Sequence, residues 1–386
     1  MTDAGAEIGV YVHWPYCARI CPYCDFNVVR AGRRARQPEA LAGAILADLS
    51  AQAVQVGRRR LVSIFFGGGT PSLADPDWVA ALVETARRDF DAGADLEVTL
   101  EANPTDAEAG RFAALRRAGV NRLSLGVQAL DDAALAFLGR NHDAAEARRA
   151  AETALATFPR VSLDLIYALP GQTPAAWAAA LHEAVALGPE HLSPYQLTIE
   201  AGTPFDRAVA RRRWAPPDPD TAAALYETTQ DVLGDAGYEA YEVSNHARGA
   251  AARSRHNLIY WRGGDYLGVG PGAHGRVTMS GARWATLTPA GIDPYIARVA
   301  ARGGLAERTR LSPVEAAQER LLMGLRTLEG VARADLAPLD IDPDAIDALA
   351  SAGLIAAAPE RLVATPAGRA VLDRLTLDLA TAARAD

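Results

Sequence analysis

Cys17, Cys21 and Cys24 are the only cysteines in the chain, and all three lie in the stretch "YVHWPYCARICPYCDF" (11–26). Their spacing is C-x3-C-x2-C. Three thiolates are one short of the four that close a structural zinc site, and one short of full ligation of an electron-transfer iron–sulfur cluster. Two completions stay open. A zinc ion could take His13 or Asp25 as its fourth ligand. A [4Fe–4S] cluster on three thiolates would instead leave one iron free for a small molecule, and the missing ligand would mark the site of reaction.

A second candidate is "FFGGGTPS" (65–72), whose glycines let backbone approach a ligand closely and expose carbonyls to an ammonium group. No Gly-Lys-Ser/Thr follows, so it is not a phosphate loop. All 39 basic residues are arginine, which also removes Schiff-base lysine chemistry. Asp164 stands between Leu163 and Leu165 in an apolar run, where a charge is costly without a partner and a ribose hydroxyl would serve as one.

The elements that must position these residues follow from periodicity. Strands are predicted at 9–14, 61–66, 96–101, 122–127, 161–167 and 192–199, with helical patterns such as 76–90 and 106–119 between them. Six strand–helix units in series predict an α/β fold with a parallel sheet and right-handed crossovers. A doubly wound sheet satisfies the same pattern, but a partial (β/α)6 barrel over residues 1–215 fits the repeat number better. The polar candidates then sit at strand ends, where barrel active sites form. The turn cluster "RRRWAPPDPD" (211–220) closes this part. An aromatic- and glycine-rich connecting segment (216–305) and a helical, winged-helix-like C-terminal domain (306–386) follow.

Composition sets outer limits. Hydrophobic residues make up 49% and charged residues 22%, a globular profile, and the net charge of −8 argues against a dedicated nucleic-acid binder. The winged-helix-like tail carries no concentrated basic face. The N-terminus shows no basic-plus-apolar leader, and no run of 18 uncharged apolar residues suggests a membrane span. Closely spaced cysteines without an export signal point to a reducing cytoplasm.

C-x3-C-x2-C at the end of a first barrel strand resembles the radical S-adenosylmethionine (SAM) superfamily. The resemblance implies a [4Fe–4S] cluster on Cys17, Cys21 and Cys24, with SAM bound at the open iron and its sulfonium cleavable by electron transfer. It further implies SAM contacts from Tyr11, Tyr23, Gly68, Gly69, Thr70, Glu101, Gln128, Arg140 and Asp164. "YVHWPYC", "FFGGGTPS", "EANP", "GVQ" and "DLIYALPGQ" are similar to the oxygen-independent coproporphyrinogen dehydrogenase group. The dehydrogenase has another cysteine two residues after the third; here that position is Phe26, and "CPYCDF" resembles the sister family, the haem chaperone HemW.

"HNLIYW" (256–261) matches the H-N-x-x-Y-W motif of that family. The match implies haem contacts from His256, Asn257, Tyr260 and Trp261, with an imidazole nitrogen for iron and flat apolar surface for a porphyrin. The bland alternative makes His256 and Asn257 hydrogen-bonding partners of the chain crossing the barrel, with the aromatics as core. His246 stands where the family pattern has an aromatic and is read as a solvated loop residue rather than a second haem ligand. The remaining histidines, His13, His142, His182, His191 and His274, form no metal-binding constellation. The resemblance implies a chaperone that passes haem to an acceptor, a respiratory haem protein. The cluster's task stays open between redox gating, promoting a homodimer and cleaving SAM. The rival is radical oxidative decarboxylation of coproporphyrinogen III.

Overall fold

Alternation of a two-residue and a 3.6-residue period builds most of the chain. The computed structural model describes residues 6–31, 37–302 and 306–383. Residues 1–5, part of the N-terminal stretch read as leaderless, and the last three of the predicted C-terminal domain lie outside the described residues.

The six predicted strands are β1 (Glu7–Trp14), β2 (Arg60–Gly68), β3 (Asp91–Ala102), β4 (Arg122–Gln128), β5 (Arg160–Tyr167) and β6 (His191–Gln196), paired in that order and all parallel. Between or after them run helices α1 (Pro38–Val56), α2 (Pro76–Asp89), α3 (Ala144–Thr157), α4 (Pro174–Ala186) and α5 (Pro219–Asp235). Their starts are local chemistry. Asp75, Asp143, Thr173 and Asp218 each accept a backbone N–H of the first turn, and Glu146 completes a capping box with Asp143. The helix expected over 106–119 is instead two short ones, Asp106–Ala109 and Phe112–Arg117, with Gly110 at the break, where a glycine costs most helical entropy.

Alternation along each strand sorts the residues into two faces. Val10, Val12, Ile64, Phe66, Val98, Leu100, Leu123, Leu125 and Leu163 are buried in the main core that the helices cover. Ser63, Glu97, Thr99, Glu101, Arg122, Ser124, Ser162 and Asp164, on the opposite parity, face the barrel interior.

Beyond β6 the sheet continues antiparallel through β8 (Asn245–Ala247) and β7 (Glu239–Glu242). On the other side of β1 comes β9 (Asp265–Val269), a seventh parallel strand supplied by the aromatic-rich connecting segment, with Ile8 paired to Asp265 and Val12 to Val269. Antiparallel β10 (His274–Met279), β11 (Ala282–Leu287) and β12 (Glu307–Arg310) extend that edge. Sequence periodicity missed β9 because "DYLGV" is short and surrounded by glycine. His246 lies on β8, 1% exposed, with Nε2 3.4 Å from Gln230 Oε1; it is a core residue, not a solvated loop residue.

Just ahead of β9 is α6 (Arg255–Trp261), and α7 (Ile292–Arg302) packs on α1. The C-terminal part pairs α8 (Pro313–Gly324), α9 (Pro343–Ser351) and α10 (Leu372–Thr381) with a small antiparallel sheet of β13 (Val331–Ala332), β14 (Ile355–Ala357) and β15 (Arg361–Ala364). It has its own core of Leu321, Leu325, Val331, Leu339, Leu362 and Leu379, the winged-helix-like arrangement expected. Fully buried Glu242 of β7 ties it to the barrel by accepting from Arg326 Nε at 2.7 Å.

The start of β9 is fixed by charge. Asp265 accepts from Arg59 Nη1, Arg283 Nη1 at 2.6 Å and Thr278 Oγ1 at 2.9 Å, and Arg59 is itself buried. Asp265→Ala leaves a buried guanidinium without its partner and is expected to cost about 3–5 kcal/mol, read as a lower denaturant midpoint with unchanged m-value. A midpoint within error of wild type would show that β9 does not depend on this pair.

Candidate functional site

The C-terminal ends of the parallel strands surround a cavity of about 500 Å3, lined by all three cysteines and by Tyr23, Gly68, Gly69, Thr70, Glu101, Gln128, Arg140 and Asp164. The cysteine loop is pinned at both ends. Tyr16 and Cys17 pair with Val29 and Arg30, while His13 Nε2 meets Asn27 O at 2.8 Å and Asn27 Nδ2 donates to Pro271 O and Ala290 O at 2.9 Å. The glycine run is stitched to the loop: Gly69 N donates to Trp14 O at 2.7 Å and Thr70 N to Tyr16 O at 2.8 Å. Gly68 has φ +107°, and a Cβ there would lie 2.5 Å from the His13 ring, so the position demands glycine twice over.

Arg140 reaches across to the thiols. Its Nη1 is 3.4 Å from Cys21 Sγ and from Tyr23 OH, and its Nη2 donates to Gly126 O at 2.9 Å and to Asn103. Thr70 Oγ1 lies 3.6 Å from Cys17 Sγ. Burial pushes the Cys17 thiol up and that of Cys24 to about 11, so thiolates here require a metal's charge. Glu101 accepts from Gly68 N at 3.2 Å, and Asp164 accepts from Ser124 at 2.8 Å and Ser162 at 3.1 Å. Tyr11 is not at the cavity wall; it stacks on Phe65 and turns its hydroxyl to His13 Nδ1 at 3.1 Å.

The sequence matches the radical SAM superfamily over residues 11–184 and the HemN C-terminal domain over residues 311–371. It is 41% identical over 277 residues to the heme chaperone HemW of Escherichia coli, covering 72% of each chain. To the heme chaperone HemW of Mycobacterium tuberculosis it is 35% identical over 377 residues, covering 97% of this chain and 95% of the relative. The chain belongs to the HemW family of radical SAM proteins. A mitochondrial radical S-adenosyl methionine domain-containing protein 1 from Mus musculus is 44% identical over 338 residues, 85% of this chain and 75% of that one. In structure, the chain resembles the coproporphyrinogen III oxidase HemN of Escherichia coli with a TM-score of 0.80 at 22% identity, covering 98% and 91%; this likeness concerns the fold alone.

Superfamily membership implies a [4Fe–4S] cluster and SAM, and the HemW-family residues here fit both. Among the described residues no three Cys, His, Asp or Glu side chains gather as ligands of a single ion. A cubane spreads its thiolates over three irons. His13, one of the two candidate fourth zinc ligands, has both ring nitrogens engaged behind Gly68. Gln128 Oε1 is buried without a partner, Glu101 has no cation beside it, and the cavity offers the acceptors a zwitterionic nucleoside needs.

The "HNLIYW" motif lies on α6, and of its four residues read as haem contacts most are engaged within the protein. His256 is 1% exposed; its Nδ1 is bonded to Ser63 Oγ at 2.9 Å and its Nε2 to Tyr260 OH at 3.0 Å, so neither nitrogen is offered to iron. Trp261 packs on Tyr241, away from the barrel axis. Asn257 alone of the four lines the cavity. α6 is the barrel floor: the backbone N–H groups of Arg255 and His256 donate to Glu97 at 3.1 and 3.0 Å, and Ile259 packs so close to Gly9 that a Cβ there would lie 2.8 Å from its Cδ1. Sequence reasoning also missed Asn103, Arg122, Ser124 and Asn245 on the cavity wall; for Arg122 and Ser124 the signal was their shared parity with Gln128 on β4.

Burial raises the Glu101 carboxyl to about 8 from 4.5, with nearby Asp164 adding to the rise. The folded chain therefore holds this proton more tightly than the unfolded one. Its stabilising contribution is complete below about pH 4.5 and is lost as pH rises toward 8. Water in the cavity makes the slope shallower than that full separation would give. In cofactor-free protein, melting temperatures measured across this pH range should fall more steeply for wild type than for Glu101→Gln, which cannot ionise; parallel curves would refute the assignment.

Proposed function

We propose that this protein binds haem and passes it to a respiratory haem protein, with a [4Fe–4S] cluster and SAM as resident cofactors. The observation that carries the reading is similarity over almost the whole chain to proteins named heme chaperone HemW. Phe26 supports it, standing where the dehydrogenase resemblance implies a further cysteine. We assign Cys17, Cys21 and Cys24 to the cluster, and Tyr23, Gly68, Gly69, Thr70, Glu101, Gln128, Arg140 and Asp164 to SAM. When bound, the cluster would supply electron-transfer chemistry to a sulfonium ligand held beside it. Arg140 holds its Nη1 3.4 Å from Cys21 Sγ, Glu101 Oε2 accepts from an ammonium group, and Asp164, oriented by two serine hydroxyls, accepts from a ribose. For the haem itself, Phe26, 62% exposed beside the cluster loop, offers a flat apolar face together with Ile20. No helix among the described residues is long and apolar enough to cross a membrane, and the reading takes the cytoplasm as the setting.

The test is haem titration of anaerobically reconstituted protein, followed by mixing with an apo-haem protein. A saturable Soret shift and transfer to the acceptor are expected, with Phe26→Ala binding haem about tenfold more weakly. Serine at any of the three cysteines should abolish cluster iron. Formation of protoporphyrinogen from coproporphyrinogen III and SAM, or absence of haem binding, overturns the reading.

A further inference from the structure

The register across the sheet places Tyr11, Phe65, Thr99, Arg122 and Arg160 in one row. Phe65 and Arg122 of this row line the cavity, just above the floor made by α6, with Thr99 between them on β3. Two members of the row have unmet hydrogen-bonding capacity. Arg122 is 2% exposed, its side chain makes no hydrogen bond or ion pair among the described residues, and its Nε is buried without a partner. The fully buried hydroxyl of Thr99, its neighbour on β3, is likewise unpaired.

The acids near Arg122 are already engaged. Glu97 is held by Arg160 Nη1 at 2.6 Å and by the two N–H groups that begin α6. Asp164 takes the hydroxyls of Ser124 and Ser162. Both lower the cost of the buried cation through their fields, but neither supplies its N–H donors with an acceptor. A guanidinium carries five donors in a planar fork. Burying it unpaired is costly, and a ligand that brings acceptors recovers that cost.

We propose that Arg122, with Thr99 beside it, is a receptor for a carboxylate of the cargo, and under the haem-carrier reading on which this rests, for a porphyrin propionate. The fork matches a planar carboxylate in a two-point contact. Arg160 offsets Glu97, which leaves the single charge of Arg122 for one carboxylate, whereas a phosphate dianion would be repelled by nearby Asp164. Phe65 in this row and Ile166 and Leu197 higher on the wall are apolar, and Tyr195, 41% exposed, marks a side open to solvent, which suits an amphiphilic ligand.

The experiment titrates cluster-loaded full-length protein with haem, haem dimethyl ester and metal-free protoporphyrin IX. Wild type is expected to bind haem about 10- to 100-fold more tightly than the ester, and protoporphyrin IX should keep the advantage of its free carboxylates. Arg122→Met should lose that preference, binding haem no better than ester while leaving ester affinity unchanged. Arg122→Lys, which keeps the charge but not the fork, should fall between. Melting curves and iron content separate loss of the contact from loss of fold, and an Arg122→Met chain that fails to fold leaves the Lys variant and the wild-type haem-to-ester ratio to decide. Equal affinity of wild type for haem and ester overturns the carboxylate receptor while leaving the haem-carrier reading intact. Binding of neither porphyrin overturns both.

Discussion

A buried carboxylate closes the barrel. Burial by itself would push Glu97 upward, but Arg122 and Arg160 and the N-terminal N–H groups of α6 hold it below the ordinary range. It is thus an anion at the positive end of a helix, the arrangement a helix dipole favours. Removing one partner from such a buried set costs about 3–5 kcal/mol, so the docking of α6 and the ionisation of Glu97 stand or fall together. The cavity needs this floor. Without α6 under Gly9 and Ser63, the inward-facing residues of β1 to β5 would line an open trough, and water would weaken every charge interaction within it.

Above the floor, the parallel register arranges the chemistry in rows. Glu101, Ser124, Ser162 and His191 make the row above Arg122, and Asp164 and Ser193 the next. Ser193, which lines the cavity, donates to Asn245 at 3.2 Å, Asn245 donates to Glu242 at 2.8 Å, and Glu242 receives Arg326. A continuous set of buried hydrogen bonds therefore runs from the cofactor cavity to the C-terminal part. Such networks are favourable only when fully satisfied, and this one makes the placement of the C-terminal part part of the barrel's own polar accounting.

Particular residues show where reading the chain succeeded and where it did not. The six strands of the alternating region were legible because each carries a run of β-branched and apolar residues bounded by turn chemistry, and the cysteine and glycine motifs fell at two of their ends. β9 was not legible, since five residues among glycines become a strand only when β1 offers them a partner. "HNLIYW" stayed open between a porphyrin site and a core in sequence. Histidine, tyrosine and tryptophan suit a porphyrin and suit a core equally well, and composition cannot tell which nitrogen is already bonded. Ser63, the group that occupies His256 Nδ1, lies 193 residues away.

What the sequence alone determined was the local inventory: three thiolates at a fixed spacing with no fourth, a glycine run that permits close approach, and the periods that make parallel strands with covering helices. These are properties of neighbouring residues, and short-range sterics and hydrophobic patterning express them in any context. Only tertiary structure decided which polar residues face one another, that α6 is a floor, that Arg140 meets Cys21, and that Arg122 is buried with its donors unspent. Those facts depend on strand register and on contacts between distant segments, where a shift of one residue would turn every inward side chain outward.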